Sequence, residues 1–334
     1  MRTRKLAVAA MAVGLPASLA AVIPAAGAAP KAPAAPGDGQ FLAVAKADAD
    51  FAGLKADVEK AGGRIVREMP EIQTLVVKAP RAAKAAMAAS PHASAVASDH
   101  LEAVSPPEGK SAESPRRDVR TVDATGAVTS VSPDPAYNLP GLLWNEARVH
   151  MVEAFGVTTG SADVTVAVAD TGLDYTHHEL APKVIGVQNF ADPTLCPLIF
   201  GPGTPTDGDL AAQTGGPANG DFNGHGSWIG GNIAGVLDGQ GINGIAPSVG
   251  LVSLKIAEWC GYAFDSSILD AFLYAANHGI DAVSISFGGY LDRSDHDQNV
   301  IYNQYVSTVN YARAKGTTIV AAAGNEHLRI DAGG

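Results

Sequence analysis

The sequence has 334 residues, with 34 acidic and 23 basic side chains and a formal net charge of −11 at pH 7. This acidity argues against nucleic acid or an anionic membrane surface as a partner, and it favours solubility. The length suits two domains rather than one.

Residues 1–28 have the pattern of a secretory signal peptide, because basic residues are followed by an apolar run and then by small residues. We expect cleavage after Ala28 and a secreted, extracellular protein. A retained membrane anchor is the alternative, but Gly14 and Pro16 interrupt the apolar run. Residues 29–39 are rich in Ala, Pro and Gly and predict a flexible leader.

Residues 40–104 predict a small α+β domain. Strand-like and helix-like segments follow one another in this range: strands at 41–45, 64–67, 74–77 and 94–104, and helices at 47–61 and 82–89. The resulting order β-α-β-β-α-β is that of a ferredoxin-like sandwich.

Residues 105–136 have almost no apolar period and many Pro, Ser and charged residues, so we expect an exposed linker. Within it, Arg116 and Arg117 form a dibasic pair that could be a processing site. The alternative is simply a pair of solvated charges.

From residue 137 onward, apolar strands alternate with helices. Strands are predicted at 164–169, 251–256, 280–287 and 317–322, and helices after His225 as far as about Gly239, at 266–277 with Asp265 as N-cap, and at 299–315. Repeated β-α units predict a doubly wound, mostly parallel α/β sheet with helices on both faces. In such sheets, functional residues gather where the strands end at their carboxyl edge.

Asp170 closes an apolar strand in VAVADTGLD. A carboxylate at this edge is well placed to orient an imidazolium, although an Asp that caps a β-to-α turn is an equally ordinary interpretation. Asp-Thr-Gly is also the signature of aspartic proteases, but that class needs two such aspartates on an all-β scaffold. The α/β pattern disfavours it.

His225 opens an apolar, glycine-rich helix in NGHGSWIGGNIAG. The positive end of the helix dipole is expected to lower its pKa, which would keep the ring neutral as a base. A structural histidine is the usual alternative, and it is the interpretation we give to the other histidines, including His177 and His178.

Asn325 follows an apolar strand and small residues in VAAAGNE. Its amide could donate to a developing oxyanion, whereas the alternative is an ordinary turn Asn after Gly. Two cysteines, Cys196 and Cys260, in an exported chain predict a disulfide, with buried free thiols as the alternative.

Taken together, the motifs around Asp170 and His225, SISFGG at 284–289 and VAAAGNE at 320–326 resemble the subtilisin-like serine proteases in order and spacing. The resemblance runs from about residue 140 to the end. Residues 40–104 similarly resemble the inhibitory, folding-assisting propeptide of that family.

The resemblance implies a role for several residues. Asp170 and His225 would be the Asp and His of the catalytic triad, and Asn325 the oxyanion donor. The substrate groove would be lined on one side by Ser286, Phe287 and Gly288 and on the other by Gly261 and Tyr262. The implied partners are a protein or peptide substrate and the chain's own propeptide. No cofactor is implied for the chemistry; structural calcium is possible in this family, but we assign no metal ligands.

The sequence departs from the family pattern in its loops. Ser227 and Trp228 stand where the family usually has Thr-His, and the Gly/Pro-rich stretch 193–220 looks like an insertion. It carries Cys196, which could tether it to Cys260 near the groove. The acidic residues of this region are expected to be solvated loop acids: Asp207, Asp209 and Asp221.

The family's Gly-Thr-Ser nucleophile motif is not found in the 334 residues, nor is a Gly-x-Ser-x-Gly elbow. We therefore expect a secreted serine endopeptidase zymogen whose sequence stops before the nucleophile, so that the chain as given is inactive. The alternatives are a non-catalytic, peptide-binding pseudoprotease and an inhibitor whose propeptide-like domain is the functional part.

Overall fold

The structure, a computed structural model, describes residues 38–104, 132–139 and 141–325. The predicted signal peptide, most of the predicted leader and the Arg116–Arg117 pair lie outside the described residues. None of the helices in the described ranges is long and apolar enough to cross a membrane.

The N-terminal part forms a four-stranded antiparallel sheet with two helices. Its elements are β1 (Asp38–Ala45), α1 (Phe51–Lys60), β2 (Arg64–Met69), β3 (Thr74–Pro80), α2 (Ala83–Ala88) and β4 (Ala93–Ser98). The sheet order β2-β3-β1-β4 comes from the β-α-β-β-α-β order expected from the sequence. Alternate residues of β1 and β3, among them Phe41, Leu75 and Val77, pack on Leu54 and Val58 of α1.

Two boundaries of this part differ from the prediction. Strand β1 begins at Asp38, inside the predicted leader, because Asp38 and Gly39 pair in register with the end of β3. The single strand predicted at 94–104 is two strands, β4 and β5 (Leu101–Ala103). Strand β5 leaves the first sheet and pairs with a strand far along the chain.

The larger part is built on a five-stranded parallel sheet. Its elements are α3 (Trp144–Arg148), α4 (Met151–Phe155), β6 (Thr165–Asp170), β7 (Val184–Asn189), α5 (Leu195–Phe200), α6 (Asp207–Thr214), α7 (His225–Ala234), β8 (Gly250–Lys255), β9 (Tyr262–Phe264), α8 (Asp265–Asn277), β10 (Ala282–Ile285), α9 (His296–Ala314) and β11 (Thr318–Ala321). The sheet order is β11-β10-β6-β8-β7.

Both faces of this sheet are covered, as the continuous apolar run of β6 requires. On one face Ala167 and Ala169 pack in a buried cluster with Ile268 of α8. On the other, Val168 packs in a second cluster with Ala234 of α7. The predicted doubly wound, parallel α/β fold is therefore confirmed.

Several details of the larger part were predicted wrongly. Helix α7 ends at Ala234 instead of near Gly239, because Gly235 turns to an extended conformation with ψ 140°. Asp265 is the first residue of α8, and its N-cap is Phe264. The stretch 193–220, for which no helix or strand was predicted, holds two helices, α5 and α6.

The prediction that the linker is exposed as far as residue 136 is also wrong. Asp134 is buried; its carboxylate accepts from the backbone N–H of Gly239 at 2.7 Å, and its own N–H donates to Asn243 Oδ1 at 2.7 Å. The chain is thus anchored to the larger part before residue 136.

The two parts share an apolar cluster. Leu42, Met69, Ile72 and Val76 of the small part pack against Leu269 and Leu273 of α8 and Ile301 of α9. Polar contacts surround this cluster: Arg67 Nε lies 3.0 Å from Asp270 Oδ2, and Thr74 Oγ1 donates to Gln304 Oε1 at 2.9 Å. The small part is therefore seated on helices α8 and α9.

Candidate active site

Asp170 is the last residue of β6 and its side chain is buried at the carboxyl edge of the sheet. Its Oδ1 accepts from the N–H of Thr171 at 2.7 Å and from His225 Nδ1 at 2.7 Å. A Cβ added at Gly226 would lie 2.0 Å from the Gly172 carbonyl oxygen, so only glycine lets α7 approach β6 this closely. The close approach is what brings the imidazole to the carboxylate.

His225 is the first residue of α7, after Gly224 in a left-handed conformation (φ 97°). Its side chain is 22% exposed. Because Nδ1 is bonded to Asp170, Nε2 is the nitrogen available as a base. The ring of Phe287 meets the imidazole edge to face, with 6.3 Å between the centroids.

The pKa of His225 is raised above its usual 6.5, opposite to the direction expected from the helix dipole. Burial of the ring lowers this pKa, but the hydrogen bond to Asp170 and the charges of Asp170 and Asp221 together outweigh burial. The two carboxylates near the ring therefore determine the direction of the pKa shift, and the prediction of a lowered pKa is wrong.

Asp221 is not a solvated loop acid, as was predicted, but the centre of the loop before α7. Its Oδ1 accepts from Thr171 Oγ1 at 2.9 Å and from the N–H of Gly224 at 2.8 Å. Its Oδ2 accepts from both the N–H and the Oγ of Ser227, at 2.8 and 2.7 Å. Asp221 thus fixes the loop that presents His225, and it engages the hydroxyl that is nearest to His225 in sequence.

Strand β5 lies between the two predicted walls of the groove. Ala103 pairs antiparallel with Tyr262 of β9 and forms a bridge to Gly288 on the other side. The N–H of Val104 donates to the Gly261 carbonyl oxygen at 2.9 Å. The structure therefore brings Gly261, Tyr262 and Gly288 around one extended segment.

The remaining predicted site residues lie close to this groove in the chain. Ser286 and Phe287 follow β10, which ends at Ile285 and not at 287 as predicted. Asn325 lies four residues beyond the end of β11, at the carboxyl edge of the same sheet as Asp170. Cys196 of α5 and Cys260 form a disulfide, which ties the insertion to the residue before Gly261.

The sequence analysis missed Lys255, whose side chain is fully buried at the end of β8. Its Nζ lies 2.6 Å from Oδ2 of Asp207, which is also buried and not solvated as predicted. Asp209 caps α6 with Thr206 in a reciprocal capping box. A lysine inside the apolar run LVSLKI was the available signal, since a buried ammonium needs an acidic partner.

Burial raises the pKa of Glu258 to about 7, although the hydrogen bond from the Asp207 N–H opposes this rise. Glu258 Oε2 accepts from the N–H of Asp207 at 3.0 Å. Glu258 lies two residues before Cys260, in the segment that leads into the groove wall at Gly261 and Tyr262.

A parallel α/β sheet with an Asp–His pair at its carboxyl edge, beside a groove edged by β9, defines a subtilisin-like arrangement. The profile of the subtilase family, Peptidase S8, matches residues 161–333. The chain belongs to the subtilase family.

Relatives and solved structures agree with this assignment. The chain is 33% identical over 173 residues to the thermophilic serine proteinase of Bacillus sp. (strain AK1), covering 52% of this chain and 35% of the relative. It is 30% identical over 179 residues to thermitase of Thermoactinomyces vulgaris, covering 53% of each. The chain therefore spans about half or less of the length of these relatives.

Two solved structures share the fold. Fervidolysin from Fervidobacterium pennivorans, described as a keratinolytic enzyme, superposes with a TM-score of 0.56 at 21% identity, over 86% of this chain and 40% of that one. The epidermin leader peptide processing serine protease of Staphylococcus aureus gives 0.59 at 19% identity, over 86% and 60%. Both likenesses include the region before the family match.

Proposed function

We propose that this protein is a secreted serine endopeptidase made as a zymogen. The observation that carries the proposal is the 2.7 Å contact between His225 Nδ1 and Asp170 Oδ1 in a chain of the subtilase family. A buried carboxylate bonded to Nδ1 fixes the tautomer in which Nε2 is a base, as proton transfer from a serine requires.

In the proposed mechanism, His225 takes the proton of the attacking serine and then gives it to the leaving amine. Asp170 holds the ring and stabilises the imidazolium, and Asn325 donates to the oxyanion of the tetrahedral intermediate. The serine is expected in sequence that follows residue 334. Ser227 is a poor candidate, because its hydroxyl donates to Asp221. The chemistry needs no cofactor.

We further propose that residues 40–104 are an inhibitory propeptide, removed by cleavage in the linker before the anchored Asp134, and that residues 137–334 belong to the peptidase. The position of β5 supports this. It joins β9 and Gly288 through backbone pairing, as an extended peptide substrate would. Residues 1–28 would direct export before these steps.

The test is expression of the protein together with the coding sequence that follows codon 334. We expect a Gly-Thr-Ser segment there, hydrolysis of a casein substrate, and covalent labelling of that serine by a fluorophosphonate probe. The variants His225→Ala and Asp170→Asn should lose hydrolysis by a factor on the order of 10⁴.

A matched control is His178→Ala, because His178 is an exposed histidine of the same domain that contacts Glu179 and the ring of His177 and has no part in the Asp–His pair. It should retain full hydrolysis. A stop codon directly after codon 334, or hydrolysis that survives His225→Ala, would overturn the proposal. Peptide binding without turnover in the extended protein would instead indicate the non-catalytic alternative.

A further inference from the structure

Three side chains with metal-ligating groups meet where the small part joins the larger one. One ring nitrogen of His100 and one carboxylate oxygen each of Glu102 and Asp265 lie within 4.8 Å of one another. The meeting follows from the strand register. Leu101 pairs with Phe264 and Glu102 with Ala263, so His100 stands opposite Asp265. Because side chains alternate along a strand, His100 and Glu102 share one face of the β5 segment.

One acid of this cluster, Asp265, keeps a buried carboxylate oxygen without a hydrogen-bond donor among the described residues. Asp265 is fully buried; Oδ1 accepts from Tyr305 Oη, but Oδ2 has no hydrogen-bond partner among the described residues. Glu102 is 6% exposed, and the one ion pair it makes within the described ranges is to His100 Nδ1 at 3.6 Å.

The neighbouring Asp99 lies at the same contact between the two parts, but both of its carboxylate oxygens accept hydrogen bonds. It is also buried, but its oxygens accept from Gln40 Nε2 at 2.8 Å and from the N–H of Ser266 at 3.2 Å. Burying two neighbouring carboxylates is costly when one buried oxygen has no donor and the half-exposed imidazole of His100 is the counter-charge at hand, so the Glu102–Asp265 pair favours a bound cation.

We propose that His100, Glu102 and Asp265 form a binding site for a divalent metal of the zinc class. One imidazole with two carboxylates is a ligand set that suits Zn²⁺, with water completing the coordination, whereas Ca²⁺ prefers oxygen ligands alone. Ligands about 2.1 Å from a tetrahedral ion are about 3.4 Å apart, so the side chains must close by roughly 1 Å. The exposed ring of His100 can make that movement by rotation.

The site takes two ligands from the segment that ends the small part and one from α8 of the larger part. A bound metal would therefore clamp β5 onto β9. This consequence rests on the proposed function, because it makes release of the propeptide segment depend on metal. The binding site itself does not depend on any peptidase activity.

The experiment is a calorimetric titration of the full 334-residue chain with ZnCl₂, together with its melting temperature at each metal concentration. We expect saturable binding that includes one site lost in His100→Ala, with at least about a tenfold weakening at that site, and a zinc-dependent rise in Tm that disappears with it. Glu102→Gln should behave in the same way, and CaCl₂ should not replace zinc.

The matched control is His92→Ala. His92 is likewise a partly exposed histidine of the small part that contacts an acid, with Nδ1 2.9 Å from Asp50 Oδ1. It should leave zinc binding unchanged. Equal zinc binding by the wild type and both His100→Ala and Glu102→Gln, no saturable zinc binding, or a preference for calcium would overturn the site. Because the readout is metal binding, its failure leaves the peptidase proposal intact, and an inactive extended protein leaves the metal site intact.

Discussion

Lys255 Nζ lies 2.6 Å from Asp207 Oδ2, and both side chains are removed from solvent. The same ammonium donates to the carbonyl oxygens of Thr171, next to Asp170, and of Gly220, next to Asp221. One buried cation therefore joins the end of β8, the inserted helix α6 and the two loops that hold the Asp–His pair.

Removing the acidic partner of this cation should destabilise the protein strongly. Asp207→Asn leaves the Lys255 ammonium buried without its counter-charge, which costs about 3–5 kcal/mol of the free energy of unfolding. Guanidinium-induced unfolding at pH 7 measures the change.

The control for this change is Asp209→Asn on the same helix, which weakens only an exposed capping box and should cost about 1 kcal/mol. The apolar double variant Asp207→Leu, Lys255→Met should recover much of the lost stability. A loss in Asp207→Asn no larger than in Asp209→Asn would show that the ion pair does not stabilise the fold.

The pKa of His225 should fall in Asp170→Asn. Burial, which lowers this pKa, persists in the variant, whereas the bond and charge of Asp170 that raise it are lost. We expect the pKa to decrease, and an NMR titration of the imidazole in the full chain measures the change. Asp174→Asn is the control, since Asp174 accepts from Thr176 and not from His225. An unchanged titration in Asp170→Asn would contradict the geometry of the pair.

The raised pKa of His225 also makes the stability of the protein depend on pH. Because the folded-state pKa of His225 is raised, its contribution to stability is complete below the unfolded value of about 6.5 and is lost as pH rises through the folded value.

Glu146 of α3 should make the protein less stable at alkaline pH. It is 1% exposed, neither carboxylate oxygen has a partner among the described residues, and burial raises its pKa to about 7. The unfolded chain ionises above about pH 4.5 while the folded chain resists ionisation, so stability falls as pH rises from about 4.5 to 7.

Glu146→Gln should therefore gain about 1–3 kcal/mol over the wild type at pH 8 and little at pH 4. Urea unfolding at the two pH values measures this difference. Glu153→Gln, on the exposed face of the neighbouring helix α4, should show no such gain. A gain that is equal at pH 4 and pH 8 would show that ionisation of Glu146 is not what destabilises the wild type.

Gly261→Ala should push the β5 segment out of the groove. A Cβ at this position would lie 2.5 Å from Val104 Cγ2, and the residue has φ 75°. Hydrogen exchange at the amides of β5 and β9 should become faster. Gly279→Ala is the matched control, because Gly279 has φ 66° but nothing within 4 Å of the added Cβ. Equal exchange in the two variants would mean that backbone strain alone, and not the contact with Val104, is responsible.

Local patterns were sufficient for the α/β fold class, and they made Asp170 and His225 candidates that the family resemblance then joined as a pair. The continuous apolar run ending at Asp170 predicted a strand covered on both faces, and Gly226 marked a helix able to approach it. Both signals lie within a few residues of the position they describe.

Relationships that depend on distant residues were not visible in the sequence. The acids Asp207 and Asp221 look solvated within a Gly/Pro-rich loop, and only the fold brings them to Lys255 and to the Thr171 hydroxyl. Likewise β5 continues the β4 pattern, but its partner β9 lies about 160 residues further along the chain.

The pairing of β5 with β9 also has a thermodynamic consequence. While the chain from residue 104 to residue 261 connects the two strands covalently, the pairing is intramolecular, with an effective concentration that does not change on dilution. One cut in that connection would turn the same contacts into a bimolecular equilibrium. Occupancy of the groove by β5 would then decrease as the protein is diluted, although no contact in the groove had changed.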